Sequence, residues 1–313
     1  MPYGNRAWFS VQALADHVFG YGGHGIFMVL ENSAFFDGAG KEEADPVITV
    51  AGYFADHGIC KAIETDWLAA TGRKVFHLAD FGTPACKLGS ASWGKPQKVA
   101  FLKRLGGIVN REGVYIIGAA VEVSEYAKFL GTAKYAQIFG PAYSACAQLC
   151  THTTEEFLLR QNRLHEKVAY TFEKGDRQHE IAKTVNDYEK RNKKICDLRS
   201  LSFLPKPTPL LQPADLIAGT MQHVLLRASG AIGCLDNGRA FTELYNFERY
   251  FSKDGVTASV IPPFNGRILR YVANRPVFTN LDLITEHFEE RKPEVVHKRL
   301  KQFRNQGKRK KSA

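Results

Sequence analysis

Three carboxylates stand where the local pattern of the chain changes. Asp37 follows the apolar Ala34-Phe35-Phe36 and precedes Gly38-Ala39-Gly40, Glu173 closes the run Val168–Glu173 (VAYTFE), and Asp215 begins a stretch of helical spacing. Carboxylates gathered at one place repel one another, and a hard divalent cation such as Mg²⁺ (or Mn²⁺) relieves that repulsion. Two such ions about 4 Å apart activate a water and stabilise the leaving oxygen of an in-line displacement at phosphorus, without a nucleophilic side chain. Taken singly, Asp37 and Glu173 also read as turn residues and Asp215 as a helix-start charge. His77 reads as a group that orients water or contacts phosphate, and equally as a structural histidine.

The elements that must position these groups follow from apolar periodicity. Ile26–Leu30 and Ala34–Phe36 lead into Asp37, and Val47–Phe54 (VITVAGYF) answers them across a polar loop as a second, antiparallel strand. A helix is expected over 58–70, a short strand-like piece at Lys74–Leu78, and a second helix over 96–109. Val114–Val123 is the third strand. Pro141 suits the first turn of a long helix with many small residues, ending near Gln161. Val168–Glu173 is the fourth strand, Asp176 caps a polar helix, Leu198–Leu204 is the fifth strand, and Leu211–Leu226 is a helix with apolar residues at Leu216, Ile217, Met221, Val224 and Leu225. Three strands, helices, strand, helix, strand, helix is the order of a mixed five-stranded α/β sheet of the ribonuclease H type, order 3-2-1-4-5. In such a sheet Asp37 and Glu173 end adjacent parallel strands, at the place where strand order reverses.

At these residues the chain resembles the bacterial domain of unknown function 3800 (DUF3800) family, over roughly residues 33–226. Family members open with Asp-Glu-Ser-Gly at the end of the first strand, where this chain has Asp37-Gly38-Ala39-Gly40. Phe76-His77-Leu78-Ala79-Asp80 is similar to the family's Phe-His segment and its following acid, and Phe172-Glu173-Lys174-Gly175-Asp176 matches a third element. The fourth is the most specific: Gln212-Pro213-Ala214-Asp215-Leu216-Ile217-Ala218-Gly219 follows the family's Gln-x-Ala-Asp-Leu-Ile-Ala-Gly. The resemblance implies a ribonuclease-H-like fold and a nuclease-like metal site of Asp37, Glu173, Asp215 and Asp176, with His77 as a catalytic auxiliary. The Glu and Ser after the first Asp are absent, and Glu42, Asp80 or Asp176 are the candidates to compensate.

Composition sets the class. With 44% hydrophobic and 24% charged residues in 313, the chain is expected to fold as a globular protein. The divisions expected are a peripheral extension (1–25), the α/β domain (26–228), a helical C-terminal extension packed on the core (229–290) and a basic tail (291–313). The tail holds ten Lys/Arg and one acid, Glu294, so it carries +9 of the net +10. Lys308, Arg309, Lys310 and Lys311 would attract a phosphate backbone regardless of base sequence, or lie solvated. The six cysteines lack a CxxC pair and no long apolar run appears, so the expectation is a cytoplasmic protein without a membrane span.

Two weaker signals are set aside. Gly89-Ser90-Ala91-Ser92-Trp93-Gly94-Lys95-Pro96 imitates a phosphate-binding loop until proline takes the place of the metal-binding hydroxyl. Cys146 and Cys150 lie one helical turn apart near His152, but among small apolar residues where buried cysteine is ordinary. The sequence therefore points to a metal-dependent nuclease acting on RNA or DNA. The alternative is a catalytically silent module on the same fold that binds nucleic acid or a protein partner, including a second copy of itself.

Overall fold

The computed structural model describes residues 32–130, 140–163, 166–175, 177–191, 199–228, 257–260 and 268–273. Strands β1 (Asn32–Ala39) and β2 (Val47–Asp56) pair antiparallel, and β3 (Tyr115–Glu122) pairs antiparallel with β2. On the other side of β1, β4 (Val168–Glu173) and then β5 (Arg199–Leu204) run parallel to it. These five strands have the order 3-2-1-4-5, and the α/β fold is ribonuclease-H-like. The sheet does not stop at five. Strands β6 (Thr257–Val260) and β7 (Ile268–Ala273) extend it past β3 to seven. The helical extension expected after residue 228 is thus strand wherever it is described, because β-rich TASV and ILRYVA satisfy the edge that β3 would otherwise expose.

Six helices cover the sheet among the described residues: α1 (His57–Thr71), α2 (Lys95–Val109), α3 (Val123–Leu130), α4 (Ala142–Arg160), α5 (Gln178–Arg191) and α6 (Gln212–Ala228). The carboxylate of Asp56 accepts the Ile59 N–H at 2.8 Å and starts α1, and Gly72 in the left-handed region ends it. Helix α3 had no counterpart in the sequence reading. Alternation along the strands sorts the core into two layers. Phe35 faces α1, α2 and α6, and Phe36 faces α4 and α5. Phe35 stacks on Tyr53 and Phe36 on Phe172, each pair at 5.3 Å.

Lys74–Leu78, read as strand-like, is not a strand. Its alternate backbone donors are taken by side chains of α6: Phe76 N–H donates to Gln212 Oε1 at 2.8 Å, and Leu78 N–H to Asp215 Oδ2 at 2.6 Å. The apolar alternation is real, but its hydrogen-bond partners are not another strand. Cys146 and Cys150 are fully buried thiols directed at the carbonyls of Ile48 and Val50, which is core packing. The Gly89–Pro96 stretch forms a short 3₁₀ turn at Ser90–Ser92 and the start of α2.

Candidate active site

Asp37 and Glu173 stand one step beyond the Phe36–Phe172 pair on the adjacent parallel strands β1 and β4. Because Phe36 and Phe172 both point to the α4 layer, both acids point to the opposite face, where α6 crosses the sheet. Asp37 is 3% exposed, and its Oδ1 accepts the Gly38 N–H at 2.7 Å. Burial raises its pKa well above the usual carboxylate range. A hydrogen-bonding contact with the Glu173 side chain and the charges of Asp215 and Glu173 push it further up, against the opposing Gly38 N–H. Two carboxyl groups make such a contact by sharing a proton or a cation.

Asp215 lies in the first turn of α6. Burial raises its pKa as well, opposed by His77, the Leu78 N–H and Lys206 and reinforced by Glu173. His77 Nε2 is 3.6 Å from Asp215 Oδ1, and His77 Nδ1 is 3.2 Å from Asp80 Oδ2. The imidazole is therefore held between two carboxylates. Gln212, one turn earlier, accepts from Trp67 Nε1 at 3.1 Å as well as from Phe76, which locks the segment preceding His77 onto α6. Gly219 completes this docking: a Cβ there would sit 2.6 Å from Leu78 Cδ2. The Gln, Asp and Gly of the α6 motif thus all serve one contact.

Several neighbours escaped the sequence reading. Lys206 Nζ stands 3.6 Å from Glu173 Oε1, placed there by the β5–α6 connection. On the far side of β1 the Tyr143 ring packs against Gly38, so that a Cβ at 38 would meet Tyr143 Cε2 at under 2 Å. Burial and the charges of Asp37 and Glu173 push the Tyr143 phenol up. Arg177 lies over the Tyr143 ring, 5.5 Å from its centroid, and pairs with Glu42 at 2.5 Å. Only a composition of Gly opposite Tyr could have signalled this, and it has no linear spacing.

Asp37 and Glu173 are therefore neighbours on β1 and β4, and His77 lies against Asp215 on the helix that crosses the same face of the sheet. Of the compensating acids, Asp80 binds His77, and Glu42 is engaged by Arg177 and the Tyr143 N–H at 3.0 Å. Asp176 and the tail residues Lys308, Arg309, Lys310 and Lys311 lie outside the described residues. The hard-oxygen donor set, with the buried Asp37 beside a partly exposed Glu173, suits Mg²⁺ or Mn²⁺. Among the described residues, no three His, Cys, Asp or Glu groups are already drawn together closely enough to ligate one ion. No described helix is long and apolar enough to cross a membrane.

No family model matches the chain, and no curated protein matches it. Among solved structures, the chain is similar to Bst ribonuclease HIII, crystallised in complex with Mn²⁺, with 15% identity over 89% of this chain and 74% of that one and a TM-score of 0.39. It is also similar to a chain of the PCNA and ribonuclease HII complex from Archaeoglobus fulgidus, with 13% identity over 71% of this chain and 89% of that one and a TM-score of 0.34. Likenesses this loose say nothing of activity, and strand order is what carries the fold.

Proposed function

We propose that this protein is a metal-dependent nuclease of the DUF3800 type that hydrolyses phosphodiester bonds of RNA or DNA at Asp37, Glu173 and Asp215. The observation that carries the reading is the placement of the buried Asp37 beside Glu173 on β1 and β4, on the face crossed by the helix that bears Asp215 in its first turn; the raised pKa values of Asp37 and Asp215 mark this as costly without a cation. The three carboxylates would hold Mg²⁺ or Mn²⁺, which when bound supplies an activated water and stabilises the leaving oxygen. The chain's own residues do the rest. Leu78 N–H and His77 fix the two oxygens of Asp215, Asp80 orients His77 from behind, and Lys206 offsets the charge of Glu173.

A second reading, a silent binding module, draws on one observation: Tyr143 fills the space where a side chain at 38 would stand, so the family's second acid has no room there. Incubating the protein with labelled single-stranded RNA, duplex RNA, hybrid and DNA in Mg²⁺, Mn²⁺ or EDTA separates the two. The nuclease reading expects cleavage that EDTA and Asp215→Asn both abolish. Binding without cleavage in every metal favours the silent module.

A further inference from the structure

Strands β2 and β3 are antiparallel neighbours with Phe54 opposite Tyr115, a geometry that a short turn can close. This chain instead sends residues 57–114 out between them, as α1, a long loop and α2. From Phe81 to Arg111 that insertion contains six cations, Lys87, Lys95, Lys98, Lys103, Arg104 and Arg111, and no acid. Arg111 is spoken for by Asp66 at 2.7 Å. Lys87, Lys103 and Arg104 are exposed, as is Lys95, which has a contact of its own. The chain outside the tail carries a net charge of only +1, so this is a local concentration of positive charge rather than a property of the whole surface.

The basic helix is also tied to the carboxylates. Phe76, the residue before His77, packs at 6.3 Å on Phe101 of α2. Phe81 stacks on the same ring at 5.7 Å, and Trp93 meets it edge-on at 5.2 Å. One aromatic cluster therefore holds α2 and the His77 loop as a unit, with the cations on its outer side. From Lys95 to Arg104 the helix rises about 13 Å, against about 3.4 Å of duplex axis per phosphate of one strand, so it spans about four phosphates.

We propose that the exposed face of α2, with Lys95, Lys103, Arg104 and the preceding Lys87, is the surface that grips the nucleic-acid backbone. It would do so without reading bases, and the aromatic cluster sets its distance from Asp215. The inference rests on the reading of the carboxylates as a nucleic-acid site. Its test uses the full chain in EDTA, so that binding is measured apart from cleavage. A Lys103→Ala/Arg104→Ala variant and a Lys183→Ala control, the latter an exposed lysine on α5, are titrated with fluorescent single-stranded RNA, duplex RNA and duplex DNA between 50 and 200 mM salt.

The double variant is expected to bind on the order of tenfold more weakly and to lower the slope of log K against log salt by about 2, with unchanged circular dichroism and an unaffected control. Equal binding by the variant overturns the proposal, as does wild-type protein that binds none of the three polymers. Polyglutamate that competes as well as nucleic acid per unit charge would overturn it in favour of an acidic protein partner. α2-dependent binding without cleavage in Mg²⁺ or Mn²⁺ would sink the nuclease reading and leave this one standing. Cleavage with α2-independent binding would do the reverse.

Discussion

Asp37 and Glu173 occupy corresponding places on neighbouring parallel strands, one step beyond the Phe36–Phe172 pair, with their side chains in contact on the face of the sheet that α6 covers. The contact sets a pH dependence. Burial and like charge raise the folded pKa of Asp37 above its unfolded value, so the folded protein binds that proton more tightly. Stability from this group is full below the ordinary carboxyl range, near 3.9, and is lost as pH rises through the raised folded value. In EDTA, Asp37→Asn is expected to raise the melting temperature at pH 8 by on the order of a few degrees and to change it little at pH 4. Added Mn²⁺ should stabilise the wild type more at pH 8 than at pH 5 and leave the variant unmoved. Thermal unfolding across that pH range checks both, and a variant less stable than wild type at pH 8 would contradict the account.

His77 is predicted to act by holding Asp215. With Nδ1 against Asp80 and Nε2 toward Asp215, removing the ring leaves the carboxylate positioned by the Leu78 N–H alone. Outer partners of metal ligands typically contribute 10–100-fold in affinity. Mn²⁺ titration of His77→Ala should show a loss in about that range, with a smaller loss for Asp80→Asn, whose carboxylate is half exposed. Equal affinity in wild type and His77→Ala would remove His77 from the site.

Much of this arrangement was legible in the sequence because strands β1 to β5 and α6 announce themselves by local periodicity, and Asp37, Glu173 and Asp215 sit at the ends of those elements. What was hidden is what depends on contacts distant in sequence. The Lys74–Leu78 segment alternates like a strand, yet its donors meet side chains 136 and 137 residues away. Lys206 is an unremarkable lysine until the β5–α6 connection brings it to Glu173. The place of Tyr143 against Gly38 required knowing that the first turn of α4 comes up behind the end of β1.

Gln212 is predicted to be worth more to stability than its polarity suggests. Its Oε1 accepts from two buried donors, Trp67 Nε1 and Phe76 N–H, and its Nε2 donates to Pro207 O at 3.1 Å. Gln212→Leu keeps the bulk but orphans both donors, at about 1–3 kcal/mol each. Urea unfolding should show a loss of about 2–6 kcal/mol. A loss under about 0.5 kcal/mol, the range of a neutral surface change, would mean that the docking of the His77 loop does not depend on this side chain.

Gly38 should be intolerant of even a methyl group, for a reason that a second substitution can expose. The Tyr143 ring occupies the position of the missing Cβ, and Gly38 is held in register with Val50 of β2, so the ring must move. Overpacking of this kind costs about 1–3 kcal/mol. Gly38→Ala is therefore expected to destabilise by that amount and to disturb Asp37 beside it. In a Tyr143→Ala background the same change meets no ring and should cost markedly less. The coupling between the two substitutions, measured as a double-mutant cycle in unfolding free energy, separates steric conflict from backbone strain, because strain at position 38 would persist with Tyr143 gone. If the two changes prove additive, Tyr143 is not what excludes a side chain from position 38, and the second reading of the site loses its support.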